Sequence, residues 1–167
     1  RSTAIVRRAV NQINANVEVQ FTVVLGDLAT DGTVQEMRLA KQALDALAKP
    51  YFTIPGNHDV TPGREDIYGN YKDAFGAAQW EKDQGTQWVF LGLDTCNGTA
   101  SDVTVPEERL EWLRRRVKGI ARNRPIALFT HHPLNPNTQA YRVQNAEEVL
   151  EVFADRQLKL VASGHFH

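Results

Sequence analysis

The stretch YFTIPGNHD, residues 51–59, joins a short apolar run directly to a cluster of polar side chains. The apolar part has the length and the aromatic content of a β-strand. Gly56 allows the backbone to turn sharply at its end, and Asn57, His58 and Asp59 follow at once. Because ligands bind beyond the carboxyl ends of strands in α/β sheets, this order predicts a functional site at the end of the strand.

Three other apolar runs of strand length end in the same kind of cluster. The runs are residues 21–25, 126–129 and 158–162, and the clusters that follow them are Gly26-Asp27, Thr130-His131-His132-Pro133 and Ser163-Gly164-His165-Phe166-His167. A further run, 88–93, ends at Asp94, for which we expect a hydrogen-bonding role at the start of a loop. Parallel neighbouring strands would bring the four clusters to one rim.

Helical periodicity occurs in segments that alternate with these strands. The apolar faces run over residues 5–13, 37–47, 110–120 and 149–153. Two of these helices carry start signals, because Thr33 and Asn145 each precede a glutamate by three residues. The alternation predicts an α/β fold whose strands are covered on both faces. Residues 60–87 have weak periodicity and predict a long loop with one short helix around 68–75.

The composition limits the classes of partner. A length of 167 residues predicts a single domain over residues 1–167 with a buried core. Nineteen basic residues nearly balance 20 acidic ones, which disfavours a nucleic-acid or membrane surface as partner. No apolar run approaches the roughly 20 residues of a membrane helix. The single cysteine, Cys96, excludes an internal disulfide and a cysteine-based metal cluster.

All five histidines lie in the strand-end clusters, and none lies on a helix face. They are His58, His131, His132, His165 and His167. Together with the Asp27 carboxylate and the Asn57 amide oxygen, they form a mixed nitrogen and oxygen donor set. Such a set suits Mn, Fe or Zn better than the all-oxygen cages that Ca and Mg prefer. The pattern therefore predicts a transition-metal site.

The four clusters, in this order and strand context, resemble the calcineurin-like metallophosphoesterase superfamily over almost the whole chain. That resemblance implies an αββα sandwich of two mixed β-sheets flanked by helices, with two Mn, Fe or Zn ions as cofactors. Thr30 stands where purple acid phosphatases have a tyrosine, and Asp59 stands where Ser/Thr protein phosphatases have a glutamate. The chain is therefore most similar to the bacterial cyclic-nucleotide-phosphodiesterase-like branch.

The resemblance also implies a role for individual residues. Asp27 would bridge the two metals; Asn57, His131 and His165 would bind the second metal, and His167 the first. His58 would not bind metal but would act at the scissile phosphate, either stabilising charge or protonating the leaving oxygen. Asp27 and His58 are thus the expected catalytic residues. For His132 two interpretations stay open, a contact with the substrate or simple packing.

One family motif does not occur in the sequence. The family has an Asp-x-His after an N-terminal strand, but no histidine precedes His58 here. The helix at residues 3–15 is the element that normally follows this motif. We therefore expect the motif to lie upstream of Arg1 and the chain to be truncated at both ends. A soluble protein is expected, either cytoplasmic or exported to the periplasm.

The implied reaction is hydrolysis of a phosphodiester or phosphomonoester by direct attack of a hydroxide that bridges the metals. The expected substrate is a small phosphoester such as a nucleotide. Two alternatives stay open: a nuclease that cleaves single-stranded nucleic acid, and a catalytically degenerate protein-binding scaffold. The near-neutral charge disfavours the nuclease. The retained His58 disfavours the scaffold, which has little use for a histidine that binds no metal.

Overall fold

The computed structural model describes residues 2–83 and 87–166. The helices are α1 (Ser2–Ala15), α2 (Val34–Leu44), α3 (Gly69–Phe75), α4 (Glu107–Gly119) and α5 (Ala146–Glu151). The strands are β1 (Thr22–Val24), β2 (Tyr51–Thr53), β3 (Trp80–Asp83), β4 (Val89–Leu93), β5 (Pro125–Thr130) and β6 (Gln157–Ser163). Among these helices, none is long and apolar enough to cross a membrane.

The strands form two sheets. β1 and β2 pair in parallel, with Thr22 opposite Tyr51. The larger sheet has the order β3-β4-β5-β6, in which β4, β5 and β6 are parallel and β3 is antiparallel to β4. The predicted α/β fold of two sheets with helices is confirmed. The larger sheet is mixed, and the smaller one is parallel.

Strands β4 and β5 are buried on both faces, as their near-continuous apolar sequences predict. The prediction is wrong for β6, which lies at the edge of the sheet and is mostly exposed, Leu160 and Val161 included. Along β5, Ile126 and Leu128 cluster with the apolar faces of α4 and α5, whereas Ala127 and Phe129 cluster with Ile54 and the smaller sheet. This division follows from the alternation of side chains along a strand. The core therefore has one layer between helices and sheet and a second layer between the two sheets.

Of the two residues predicted to cap a helix, only Thr33 does so with its side chain. Thr33 caps α2, because its hydroxyl accepts from the Glu36 amide at 3.3 Å and the Glu36 carboxylate accepts from the Thr33 amide at 3.1 Å. Asn145 occupies the N-cap position of α5, but its side chain does not cap the helix. Its amide group bonds instead to both backbone groups of Val105, at 2.9 and 3.0 Å.

Strand β3 corrects the sequence analysis, which predicted a loop with one short helix over residues 60–87. The helix is present as α3, but Trp80–Asp83 form an edge strand. Three charged residues in a four-residue strand hide its apolar alternation. The Trp80 ring lies over Gly92 of β4, where any Cβ atom would collide with it. The Trp80 indole also donates to the Thr53 carbonyl at 2.6 Å, which ties β3 to the smaller sheet.

Candidate metal centre

The structure brings four predicted site residues from both sheets to one point. Around Nε2 of His131 lie His165 Nδ1 at 3.0 Å, Asn57 Oδ1 at 3.2 Å and Asp27 Oδ1 at 3.4 Å. Each residue follows the carboxyl end of a different strand, as the sequence analysis predicted for a common rim. His167 lies outside the described residues.

The tautomer of His131 follows from its backbone contact. Nδ1 lies 2.6 Å from the carbonyl oxygen of Leu25, and a carbonyl can only accept, so Nδ1 carries the proton. Burial lowers the pKa of this histidine and keeps the imidazole neutral. Nε2 therefore points a lone pair at the oxygens of Asp27 and Asn57. A ligating histidine held by a carbonyl on its other nitrogen is the usual arrangement in metal sites.

This group of donor atoms fits a metal ion. The Asn57 side-chain nitrogen donates to the Thr99 carbonyl at 3.3 Å, so its oxygen is the atom that faces His131. His131 Nε2 and Asn57 Oδ1 present lone pairs to this point, and Asp27 Oδ1 does so beside the bond that it accepts from the His58 amide. A cation placed there would be bound by several of these atoms at once. The separations of about 3 Å are those expected when the donors lie about 2.0–2.2 Å from a shared ion.

Asp27 and His165 are held in unusual backbone conformations. Both have left-handed φ angles, 54° and 64°, which non-glycine residues seldom adopt. Among the described residues only Tyr141, at 57°, shares this property. Such strain costs of the order of 1–3 kcal/mol per residue and is found mainly at functional sites.

Asp59 closes the turn that carries Asn57 and ties it to the Asp27 loop. Its carboxylate accepts from the Gly56 amide at 2.8 Å and from the Ala29 amide at 2.9 Å. Burial raises the pKa of Asp59 to about 6, although these amide donors act in the opposite direction. These contacts support a role for Asp59 in closing the turn.

His58 is exposed and lies beside Asp27. Its backbone amide donates to Asp27 Oδ1 at 3.2 Å. Its Nδ1 donates to the Thr30 carbonyl at 2.9 Å, which fixes the orientation of the ring. Nε2 is then an acceptor when the ring is neutral and a donor when it is protonated. The side chain is therefore able to exchange a proton at Nε2.

His132 is fully buried, and its contacts favour packing over a contact with the substrate. Its ring is close enough to join His131 and His165 as a metal ligand. Both of its nitrogens are engaged, however, with Thr95 Oγ1 at 3.0 Å and the Ala100 carbonyl at 3.2 Å. Burial lowers its pKa to about 3, so the ring stays neutral. It packs 4.5 Å from the His165 ring, centroid to centroid.

The loop over residues 94–100 supports these groups, and an ion pair between the buried Asp94 and the half-buried Arg109 holds its start. The Asp94 carboxylate lies 3.1 Å from the Arg109 guanidinium and accepts from the Cys96 amide at 2.9 Å. Arg109 also donates to the Tyr68 hydroxyl at 3.1 Å and to the Cys96 carbonyl. Burial raises the pKa of Asp94, and the Arg109 charge opposes that effect. The sequence predicted the hydrogen-bonding role of Asp94, whereas nothing distinguished Arg109 from the other arginines of α4.

Replacing Gly56 with alanine is expected to disrupt the centre. A Cβ atom would collide with the backbone nitrogen and carboxylate of Asp27 and would lie 2.8 Å from His131 Cε1. We expect the free energy of unfolding to fall by about 1–3 kcal/mol and metal affinity to fall with it. Chemical denaturation and metal titration would measure these losses.

Gly119→Ala is the matched control for Gly56→Ala. Gly119 ends α4, and a Cβ atom there meets nothing within 4 Å. This substitution is expected to leave metal affinity unchanged and to stabilise the protein by about 0.5–1 kcal/mol, because glycine loses more backbone entropy on folding. Equal effects of the two substitutions would contradict the crowded geometry at Gly56.

Comparison with known proteins finds phosphodiesterases among the relatives of this chain. A probable cyclic nucleotide phosphodiesterase from Xenorhabdus bovienii is 27% identical over 95% of this chain and 65% of its own length. A probable glycerophosphodiester phosphodiesterase from Arcobacter nitrofigilis is 29% identical, over 92% and 59%. The 3′,5′-cyclic adenosine monophosphate phosphodiesterase of Escherichia coli K12 is 28% identical, over 90% and 55%. The chain thus spans somewhat more than half of the length of these relatives.

A solved structure with the same fold and a family match identify the family of this chain. A crystal structure of a dimetal phosphatase from Danio rerio superposes with a TM-score of 0.73 at 17% identity, covering 99% of this chain and 72% of that one. At this identity the likeness concerns the fold. The Calcineurin-like phosphoesterase family matches residues 2–167. The resemblance predicted from the strand-end motifs is therefore confirmed, and the chain belongs to the Calcineurin-like phosphoesterase family.

Proposed function

We propose that the protein containing this chain is a metal-dependent phosphodiesterase that hydrolyses a small phosphodiester, with cyclic nucleotides as the favoured substrates. The observation that carries this proposal is the convergence of Asp27, Asn57 and His165 on His131 Nε2, beside the exposed His58. The names of two of the relatives, which refer to cyclic nucleotides, support the substrate class.

In this proposal two ions of Mn, Fe or Zn occupy the centre. Asp27 would be a ligand of both ions, Asn57, His131 and His165 would hold one of them, and His167 would contribute to the other. When bound, the ions lower the pKa of a water molecule and attract the phosphate oxygens. The neutral His131 supports this assignment, because only a deprotonated nitrogen can bind a metal.

His58 supplies the proton chemistry. Hydrolysis of a diester leaves charge on the departing alkoxide oxygen, which a positioned acid neutralises. The bond from His58 Nδ1 to Thr30 leaves Nε2 as the nitrogen that donates. The Asp27 contact to the His58 amide keeps this ring next to the centre. His58 thus acts as the proton donor to the leaving oxygen.

A direct test compares hydrolysis with and without metal in the full-length protein. Metal is removed with a chelator and manganese is added back, and the bound metal per chain is counted by elemental analysis. Substrates are bis-p-nitrophenyl phosphate, cyclic AMP and a single-stranded DNA oligonucleotide. We expect two metals per chain, manganese-dependent hydrolysis of both small diesters, and intact DNA.

The other outcomes select the alternatives. Preferential cleavage of the oligonucleotide would replace the proposal with a nuclease. Absence of both metal and hydrolysis would leave a protein-binding scaffold with the family fold. Two bound metals without hydrolysis of any tested ester would also contradict the proposed activity.

A further inference from the structure

Two exposed aromatic side chains lie together at the edge of the candidate metal centre. Tyr141 is 50% exposed and Phe166 is 62% exposed, and their ring centroids are 6.4 Å apart. The Tyr141 ring also lies 5.9 Å from the His165 ring, in an edge-on arrangement. The other strongly exposed large hydrophobic residues of the described chain are all aliphatic. We call Tyr141 and Phe166 the aromatic platform.

The backbone of Tyr141 has an unfavourable, strained conformation. Its φ angle of 57° is left-handed, which is rare for a bulky side chain. The other two non-glycine residues with this conformation in the described chain are Asp27 and His165, both in the candidate metal centre. Strain of this kind persists where the surrounding structure enforces it, typically at functional sites.

Hydrogen bonds of the two residues after Tyr141 hold its backbone in this conformation. The Arg142 amide donates to the Asp102 carboxylate at 3.2 Å, and the Arg142 carbonyl accepts from the Val103 amide at 3.1 Å. The Val143 amide donates to the Pro133 carbonyl at 3.0 Å, just beyond His132. The Tyr141 ring is therefore presented from an anchored backbone. An exposed ring that is already ordered loses little entropy when it binds a ligand.

We infer that the aromatic platform binds the planar base of a nucleotide substrate by stacking. This inference rests on the proposed function, because the phosphate of that substrate would lie at the centre formed by Asp27, Asn57 and His131. In a nucleotide the base is one ribose ring away from the phosphate, and the platform adjoins the centre through His165. Every nucleobase has a flat π-face, so stacking recognises the class of ligand and not one base.

The experiment compares two ligands that differ only in the base. Adenosine 5′-monophosphate and ribose 5-phosphate are titrated calorimetrically into the full-length protein loaded with manganese. Tyr141→Asn removes the ring and keeps the left-handed backbone, which asparagine tolerates. Tyr141→Phe keeps the ring. Leu39→Asn, at an exposed residue of α2, is the control for losing exposed apolar surface. Phe166→Leu removes the second ring at a residue whose backbone is not left-handed.

In the wild-type protein we expect adenosine 5′-monophosphate to bind about 10-fold more tightly than ribose 5-phosphate, as one stacked base allows. That ratio should fall towards one in Tyr141→Asn, fall partly in Phe166→Leu, and persist in Tyr141→Phe and Leu39→Asn. Equal binding of the two ligands by the wild type, or an unchanged ratio in Tyr141→Asn, would overturn the inference. Failure of the proposed function would be seen separately, as lack of hydrolysis, whereas this test measures binding.

Discussion

We expect Asp27→Asn to lower the metal-dependent kcat/KM for bis-p-nitrophenyl phosphate about a thousandfold. Asparagine has the same shape and keeps an oxygen toward the His58 amide, which lies 3.2 Å from Asp27 Oδ1. It lacks the negative charge that offsets two cations. The loss corresponds to about 4 kcal/mol of transition-state stabilisation, the scale of metal-ion catalysis. Elemental analysis should show fewer metal ions per chain in parallel.

Asp31→Asn provides the matched control for this substitution. Asp31 lies four residues further along the same loop, is exposed, and loses the same charge. It is expected to retain full metal content and turnover. If Asp27→Asn bound two metals and hydrolysed substrate as fast as Asp31→Asn, the assignment of Asp27 as the bridging ligand would be wrong.

The second large effect concerns His58 and depends on the leaving group. For cyclic AMP, whose leaving oxygen is a basic ribose alkoxide, His58→Asn is expected to lower kcat by about 100-fold to 10,000-fold. For bis-p-nitrophenyl phosphate the loss should be much smaller, because p-nitrophenolate departs without a proton. Metal content should be unchanged, since the His58 ring bonds to the Thr30 carbonyl and not to the other donors.

The comparison of the two substrates separates the roles left open for His58. A proton donor gives the unequal losses described above. Equal losses for both leaving groups would instead show that His58 stabilises charge on the phosphate. A loss of metal from His58→Asn would contradict both roles and make the histidine a ligand.

The sequence predicted the main features of the site because they depend on local order along the chain. Each strand and the polar cluster after it are adjacent in sequence, and parallel strands carry those clusters to a common rim. The donors of Asp27, Asn57, His131 and His165 therefore converge as the motifs indicated. Their roles as metal ligands stay predictions, which the substitutions above would test.

Strand β3 and the contacts of Asn145 depend on residues that are distant in sequence. An edge strand of four residues has too little alternation to be recognised, and Trp80 is placed by its contact with Gly92. Asn145 has the sequence signal of a helix cap, yet Val105, 40 residues away, satisfies its side chain. Local propensity is a weak preference, which tertiary contacts override.

The sequence by itself determined the chemistry of the donor groups, the order of the elements apart from β3, and the family. Only the tertiary structure decided which side chains support the candidate metal centre without belonging to its donor set, because their contacts are with residues distant in sequence. The His132 ring is hydrogen-bonded to Thr95, which is 37 residues away in sequence, and the Arg109 guanidinium donates to the hydroxyl of Tyr68, which is 41 residues away. The same is true of the aromatic platform, in which Tyr141 reaches His165 and Phe166 only after the chain has folded. No periodicity or motif encodes such contacts, since they arise from packing of separate elements.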